Sequence, residues 1–178
     1  AHENTARVMA AFAEHRVDAA CFAPTTGYGY DDAGRDTIEK VFAEYAGAED
    51  SLFRHNFMSG THTLAVMLFG VLRPKDKMLI LTGRPYDTLI DVLGLDKAVD
   101  GSLSDLGVEF EIVELDNNGM PDKKSIEEKL KGGNYRVAYI QRSRGYSLRH
   151  SLTAYEVGEL CGLVKSVSPD TVTMVDNC

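Results

Sequence analysis

From Met78 onward, short apolar runs alternate with amphipathic stretches of helical period, and this alternation constrains the fold more than any other feature of the chain. MLIL (78–81), VEFEIVEL (108–115), VAYIQ (137–141) and TVTMVD (171–176) read as strands. DTLIDVLG (87–94), SIEEKLKG (125–132) and TAYEVGELCGLVKSV (153–167) read as the helices between them, with turns at Asp116-Asn117-Asn118-Gly119 and Gly132-Gly133-Asn134. Apolar strands separated by helices pair in parallel and are covered on both sides. The fold class is therefore α/β: a mostly parallel sheet with helices on both faces. Ligands of such sheets bind outside the carboxyl ends of the strands. That rule directs attention to Ser59-Gly60-Thr61, Gly83-Arg84-Pro85-Tyr86, Gln141-Arg142-Ser143-Arg144 and Asp176-Asn177.

The first fifty residues follow a different pattern. Val8, Met9, Phe12 and Ala13 predict a core-facing helix over 4–17, with Asn4 or Thr5 as its N-cap. DAACFAPTTGYGYDDAGR (18–35) contains Pro24, Gly27, Gly29 and Gly34 and reads as a long loop. Loops of that length in compact domains are usually functional or disordered, and its tyrosines and threonines beside glycines suit binding. Asp36 and Glu39 predict a capping-box start to DTIEKVFAEYAG (36–47), closed by Gly47. SLFRHNF (51–57) reads as a short strand or extended entry, MSG as a turn, and THTLAVMLFGVL (61–72) as an apolar helix stopped by Arg73-Pro74. The expected division is 1–50, N-terminal helices and binding loop, and 51–178, the first part of a larger sheet domain.

Composition limits the possible functions. With 178 residues, 44% of them hydrophobic, the chain can bury a sizeable core. Its formal charge of −8 argues against nucleic acid or anionic membrane as a partner, since both select a basic face. No apolar run approaches the ~20 residues of a membrane span, and the charged, periodic N-terminal stretch is no signal peptide. A soluble cytoplasmic protein is expected. Cys21, Cys161 and Cys178 lack CxxC spacing and the five histidines lack HxxxH or HxH spacing, so no metal site is expected.

Four features could carry chemistry, and each has a plainer reading. Ser59-Gly60-Thr61 opens a helix whose N-terminal amides and dipole suit a phosphate, although Ser59 could serve only as an N-cap. Tyr86, behind Pro85 and ahead of Asp87 as the next N-cap, could lay its ring over a planar ligand or merely staple the following helix. Asp176 ends the last strand, where a carboxylate can pair with a cation such as a protonated ring nitrogen or cap a turn. Arg142, Arg144 and Arg149 cluster behind VAYIQ. Their guanidinium forks match a carboxylate or phosphate, or a solvated loop paired with acidic neighbours.

The segments TTGYGYDDAGRDTIE, SGTHTLAVMLFGVLRP, GRPYDTL, QRSRGYSLR and VDNC, in that order, resemble the methionine γ-lyase-like, aluminium-resistance family, a branch of the cystathionine-lyase group. The resemblance implies the aspartate-aminotransferase fold and the cofactor pyridoxal 5′-phosphate (PLP). It further implies that Ser59, Gly60 and Thr61 hold the phosphate, that Tyr86 stacks on the pyridine ring, and that Asp176 pairs with the ring nitrogen. Asp176 and Tyr86 are then the catalytic residues. Tyr28 and Tyr30 would reach a neighbouring subunit's site; Asp31-Asp32 stand where related lyases carry an Arg, so either Arg35 substitutes or the contact between subunits differs. From the arginine cluster itself, one member is expected to contact a ligand, with Arg142 and Arg144 the candidates for the substrate or a neighbouring subunit. The implied activity is elimination from a sulfur-containing amino acid, cystathionine β-lyase-like or methionine γ-lyase-like, in a dimer or tetramer with a shared active site.

Such enzymes need a lysine that binds the cofactor covalently. In the family it follows the aspartate strand in a Ser-Leu-x-Lys-Asn type motif, and Lys75, Lys77 and Lys165 stand in no such context. The chain therefore reads as an incomplete portion of the large domain, inactive by itself. A noncatalytic binding or assembly module that kept the fold is the alternative. A Rossmann-type nucleotide enzyme is a weaker one, because Ser-Gly-Thr is no GxGxxG.

Overall fold

The computed structural model describes every residue except Ala1, Gly29, Asp31 and Ala98, so the expectations for Gly29 and Asp31 lie outside the described residues. The chain forms two compact units, Ala1–Phe57 and Met58–Cys178.

In the first unit, α1 (His2–Glu14) begins before Asn4, so neither Asn4 nor Thr5 caps it. Its inward face is Ala11 with Val8, Phe12 and His15. Met9 is 59% exposed and Ala13 is exposed, so of the four expected stripe residues only Val8 and Phe12 face inward. The expected loop contains a 3₁₀ turn, Ala19–Phe22, capped by Asp18. It ends early, because α2 (Ala33–Ala46) starts from Asp32 and not from Asp36. The Asp32 carboxylate, 4% exposed, accepts from the Arg35 amide, while Asp36 lies in the first turn, favourable to the helix dipole. Gly34 permits this start: a Cβ there would stand 2.1 Å from the Cys21 carbonyl oxygen.

Glu39 closes no capping box. Its carboxylate accepts from the Phe53 amide at 2.9 Å and pairs with Arg54 at 2.8 Å, while Ser51 Oγ donates to the Glu39 carbonyl. These bonds tie 51–54 to α2, and of the two readings for 51–57, a short strand or an extended entry, the strand does not form. Gly47 does close α2, in the left-handed conformation at φ 67°.

The second unit runs α3 (Gly60–Val71), β1 (Lys77–Ile80), α4 (Asp87–Leu93), β2 (Glu109–Ile112), α5 (Lys123–Gly132), β3 (Val137–Gln141), α6 (Ala154–Val167) and β4 (Val172–Asp176). All strand pairs are parallel, in the order β2-β1-β3-β4. Alternation along the strands divides the core in two. Met78, Ile80, Val137, Tyr139 and Met174 pack with Leu68 and Leu72 of the α3 region and with Leu89 and Leu93 of α4. Leu79, Leu81, Ala138 and Ile140 pack with Ile126 and Leu130 of α5 and with Leu160 and Val164 of α6. Helices therefore cover both faces. Among the described residues no helix is long and apolar enough to cross a membrane.

After β1 the chain goes to β2, then returns to the other side of β1 as β3. The strand order reverses between β1 and β3, and the crevice beyond their carboxyl ends is where a parallel sheet offers a site.

The caps of α5 and α6 carry a pH dependence. The Ser125 hydroxyl, then the Ser125 and Lys124 amides, hold the Asp122 carboxyl below the usual carboxylate range. The Thr153 amide and hydroxyl, with His150, do the same for Glu156 in the Thr153 capping box. Depressed carboxyls contribute stability that is complete above their unfolded values, roughly pH 4, and is lost as pH falls through the folded values. The thermal midpoint should therefore be level with respect to these two groups from neutrality to about pH 5 and fall below pH 4. In Asp122→Asn that acid-side fall should be shallower, and an unchanged profile would remove Asp122 from the account.

Candidate active site

Beyond the carboxyl ends of the strands lies a cleft of about 530 Å³, to which α3, Tyr86, the loop after β3 and the end of β4 all contribute. Gly60, Thr61, Tyr86, Thr88, Ser143 and Asp176 supply its polar or small lining, and Leu64, Met67, Leu89 and Val175 its apolar part.

Ser59 acts as the N-cap of α3. Its Oγ accepts from the His62 amide at 3.1 Å, and its carbonyl from the Thr63 amide and hydroxyl. The amides of Gly60 and Thr61, in the first turn, have no intrahelical acceptor. Thr61 and Thr88 join their hydroxyls at 2.7 Å, linking α3 to α4. A Cβ on Gly60 would meet no atom of the chain within 4 Å.

Tyr86, and not Asp87, occupies the N-cap position of α4 and gives no side-chain capping bond, so the expected cap at Asp87 is corrected by one residue. Its amide donates to Gln141 Oε1 at 2.8 Å. Gln141 is 3% exposed, and its own amide donates to Thr82 Oγ1. This pair of bonds ties the end of β1 to the end of β3 at the reversal point. Asp176, at the end of β4, accepts from the Tyr139 hydroxyl at 3.2 Å and from the Cys178 amide at 3.1 Å. Burial, then the Asp176 charge, pushes the Tyr139 phenol far above the usual tyrosine value, so it stays a neutral donor.

The arginines separate. Arg149, 8% exposed, donates to the carbonyls of Gln141, Ser143 and His150 and is a structural residue of the loop. Arg142 donates to the Leu152 carbonyl and to Asn177 Oδ1. Arg144 is exposed, and its guanidinium has no partner among the described residues. Neither Arg142 nor Arg144 lines the cleft. In the first unit Tyr28 and Tyr30 are both exposed, and Tyr28 lines a smaller polar cleft with Asp32, Arg35, Arg54 and His55. Arg35 is paired with Asp32. No lysine lines the 530 Å³ cleft. Lys165 is committed to the carbonyls of Pro169 and Thr171, and Lys77 to Glu109.

The sequence singles out Gln141 only by its place after a strand, without a role, and does not single out Tyr139 or Thr88. A polar residue ending the apolar run VAYIQ was a usable signal for Gln141; Thr88 had none, because only the packing of α3 on α4 brings it to Thr61.

A family profile described as methionine gamma-lyase matches residues 1–178. The chain belongs to this family. An uncharacterized protein, YnbB, of Bacillus subtilis strain 168 is 40% identical over 176 residues, 98% of this chain and 42% of that protein. A Listeria monocytogenes structure, of a protein provisionally named cystathionine beta-lyase involved in aluminum resistance, is 43% identical with a TM-score of 0.93, covering 98% of this chain and 44% of that one. A carbon-sulfur lyase involved in aluminum resistance from Clostridium novyi NT is 38% identical with a TM-score of 0.92, covering 98% and 42%. The chain thus spans about two fifths of the length of these relatives. A PLP-dependent aminotransferase from Streptococcus suis, at 15% identity and a TM-score of 0.50 over 67% of this chain, shares the fold.

Proposed function

We propose that the full-length protein is a PLP-dependent carbon–sulfur lyase acting on a sulfur-containing amino acid, and that the cleft of the second unit is the cofactor site. The observation that carries this reading is the convergence, in one cleft, of the α3 N-terminus, the Tyr86 ring and the Asp176 carboxylate. The open space at Gly60 supports the fit, because a phosphate can approach the amides where no side chain intervenes.

When bound, PLP withdraws electrons from the substrate α-carbon through its protonated ring. The Gly60 and Thr61 amides bind the phosphate, with Ser59 holding the helix start in place. Tyr86 orients the ring by stacking. The Asp176 carboxylate keeps a proton on the ring nitrogen, and the Tyr139 hydroxyl orients that carboxylate. Arg144, with an unpartnered fork, is the arginine left to take a substrate carboxylate. Among the described residues no lysine lines the cleft to supply the covalent link that such chemistry needs. Tyr28 and Tyr30 are proposed to serve a neighbouring subunit of a cytoplasmic dimer or tetramer.

Gly60→Val leaves the protein room to fold and fills the approach to the amides. It should weaken PLP binding at least tenfold, about 1.4 kcal/mol; unchanged affinity in a cofactor titration would remove this phosphate site. The activity is tested by incubating the full-length, PLP-loaded protein with cystathionine, cysteine or methionine and measuring release of the sulfur product (a thiol, or sulfide from cysteine) together with 2-oxo acid and ammonia. Release of all three from at least one of them is expected. Full cofactor loading without thiol or sulfide from any of them would overturn the lyase reading.

A further inference from the structure

The Tyr86 ring is held by the loop after β3, through a residue, Tyr146, to which the proposed reaction assigns no role. Tyr146, 79% exposed, lays its ring against that of Tyr86 with centroids 5.2 Å apart and planes inclined by 30°. The Tyr86 hydroxyl donates to the Tyr146 hydroxyl at 3.0 Å. Stacking and the hydroxyl contact together fix both the tilt of the ring and its rotation in plane, which either contact alone would leave free.

The loop that delivers Tyr146 is built for that approach. Gly145 has φ +57°, and a Cβ there would stand 3.2 Å from Tyr86 Cδ2, so the backbone turns in the left-handed region against the edge of the ring. At the base of the loop, Gln141 Nε2 donates to the Ser143 carbonyl at 3.0 Å while its Oε1 accepts from the Tyr86 amide. Arg149 gathers the Gln141, Ser143 and His150 carbonyls. Ser147 closes the tip by donating from both its amide and its hydroxyl to the Arg144 carbonyl. Backbone, ring edge and ring face of Tyr86 are thus all engaged by residues 141–146.

We infer that Tyr146 is a positioning residue for Tyr86, setting the orientation in which the Tyr86 ring meets the cleft. Tyr86 lines the cleft and Tyr146 does not, so Tyr146 acts only through its neighbour. The hydrogen bond to Tyr146, then that residue's charge when ionised, pushes the Tyr86 phenol above the usual tyrosine value, with burial, Asp87 and Cys178 adding in the same direction. The inference rests on the reading of Tyr86 as the ring that faces the cofactor, and its test is arranged to fail separately from that reading.

The test uses the full-length protein carrying tyrosine labelled with ¹³C at Cζ, titrated by NMR in the absence of cofactor, with Tyr86→Phe assigning the Tyr86 resonance. Tyr146→Phe retains the ring and removes the acceptor hydroxyl. The Tyr86 midpoint is expected to move down toward the ordinary tyrosine value, a shift that a merely packed aromatic would not cause; an unchanged midpoint overturns the inference. In a parallel PLP titration, Tyr146→Ala, which also removes the stack, should weaken binding by about fivefold. Affinity equal to or tighter than wild type in that variant would also overturn it, tighter binding marking Tyr146 as an occluding residue. If PLP leaves the wild-type Tyr86 resonance unmoved, the cofactor reading fails, while the cofactor-free titration still decides the role of Tyr146.

Discussion

Replacing Asp176 by Asn in the full-length protein is expected to lower turnover at least tenfold, about 1.4 kcal/mol of activation barrier, with folding retained. The substitution is nearly isosteric. It keeps an oxygen to accept from the Tyr139 hydroxyl, while the NH2 that replaces the other oxygen cannot accept from the Cys178 amide, so one exposed hydrogen bond beyond β4 is given up. What it removes is the negative charge. An anion beside a ring nitrogen favours the protonated ring, and without it the ring draws electrons less strongly from the substrate. The loss should appear in kcat, with the thermal midpoint close to that of wild type. Near-normal kcat in a PLP-loaded variant would take Asp176 out of this role.

Arg149→Met should be the most destabilising of the changes considered, at about 2–4 kcal/mol. The side chain is 8% exposed and satisfies three carbonyls, two of them at the end of β3 and in the loop beyond it. Burial holds its own pKa below the usual arginine value, so desolvating the guanidinium offsets part of what its hydrogen bonds contribute. Met replaces the stem but offers no donor; the Ser143 carbonyl keeps its bond from Gln141 Nε2, whereas a buried carbonyl that loses its donor, as at Gln141, costs about 1–3 kcal/mol. Denaturant titration should show an earlier midpoint. A midpoint equal to that of wild type would mean that water replaces the guanidinium and that the loop does not depend on it.

Arg149 also shows where sequence reasoning stops. Arg142, Arg144 and Arg149 form a single cluster in the sequence, yet one is buried, one is bound to the next loop and one is exposed. The difference is decided by which carbonyls the chain folds back to present, and nothing in the spacing of the arginines records that. Asp36 gives the same lesson in the first unit. Asp36 and Glu39 match a capping box, but Glu39 is taken by the Phe53 amide and Arg54, and the helix starts at Asp32. A local pattern lost to long-range partners in both cases. The sheet was legible because its signal is local and repeated: four apolar runs, each with its covering helix, leave little choice but parallel pairing. The positions of Gly60, Tyr86 and Asp176 beside the cleft were legible for a related reason, since each stands at the end of an element beyond the carboxyl edge of the sheet. Tyr146 carried no such mark, because its role depends on one glycine turning a surface loop onto a ring.

A crystal structure of the full-length protein with PLP tests the central claim most directly. The account predicts the phosphate at the Gly60 and Thr61 amides, the pyridine ring against Tyr86 and its nitrogen beside the Asp176 carboxylate. Cofactor density elsewhere, or in this cleft with the nitrogen turned away from Asp176, would contradict it.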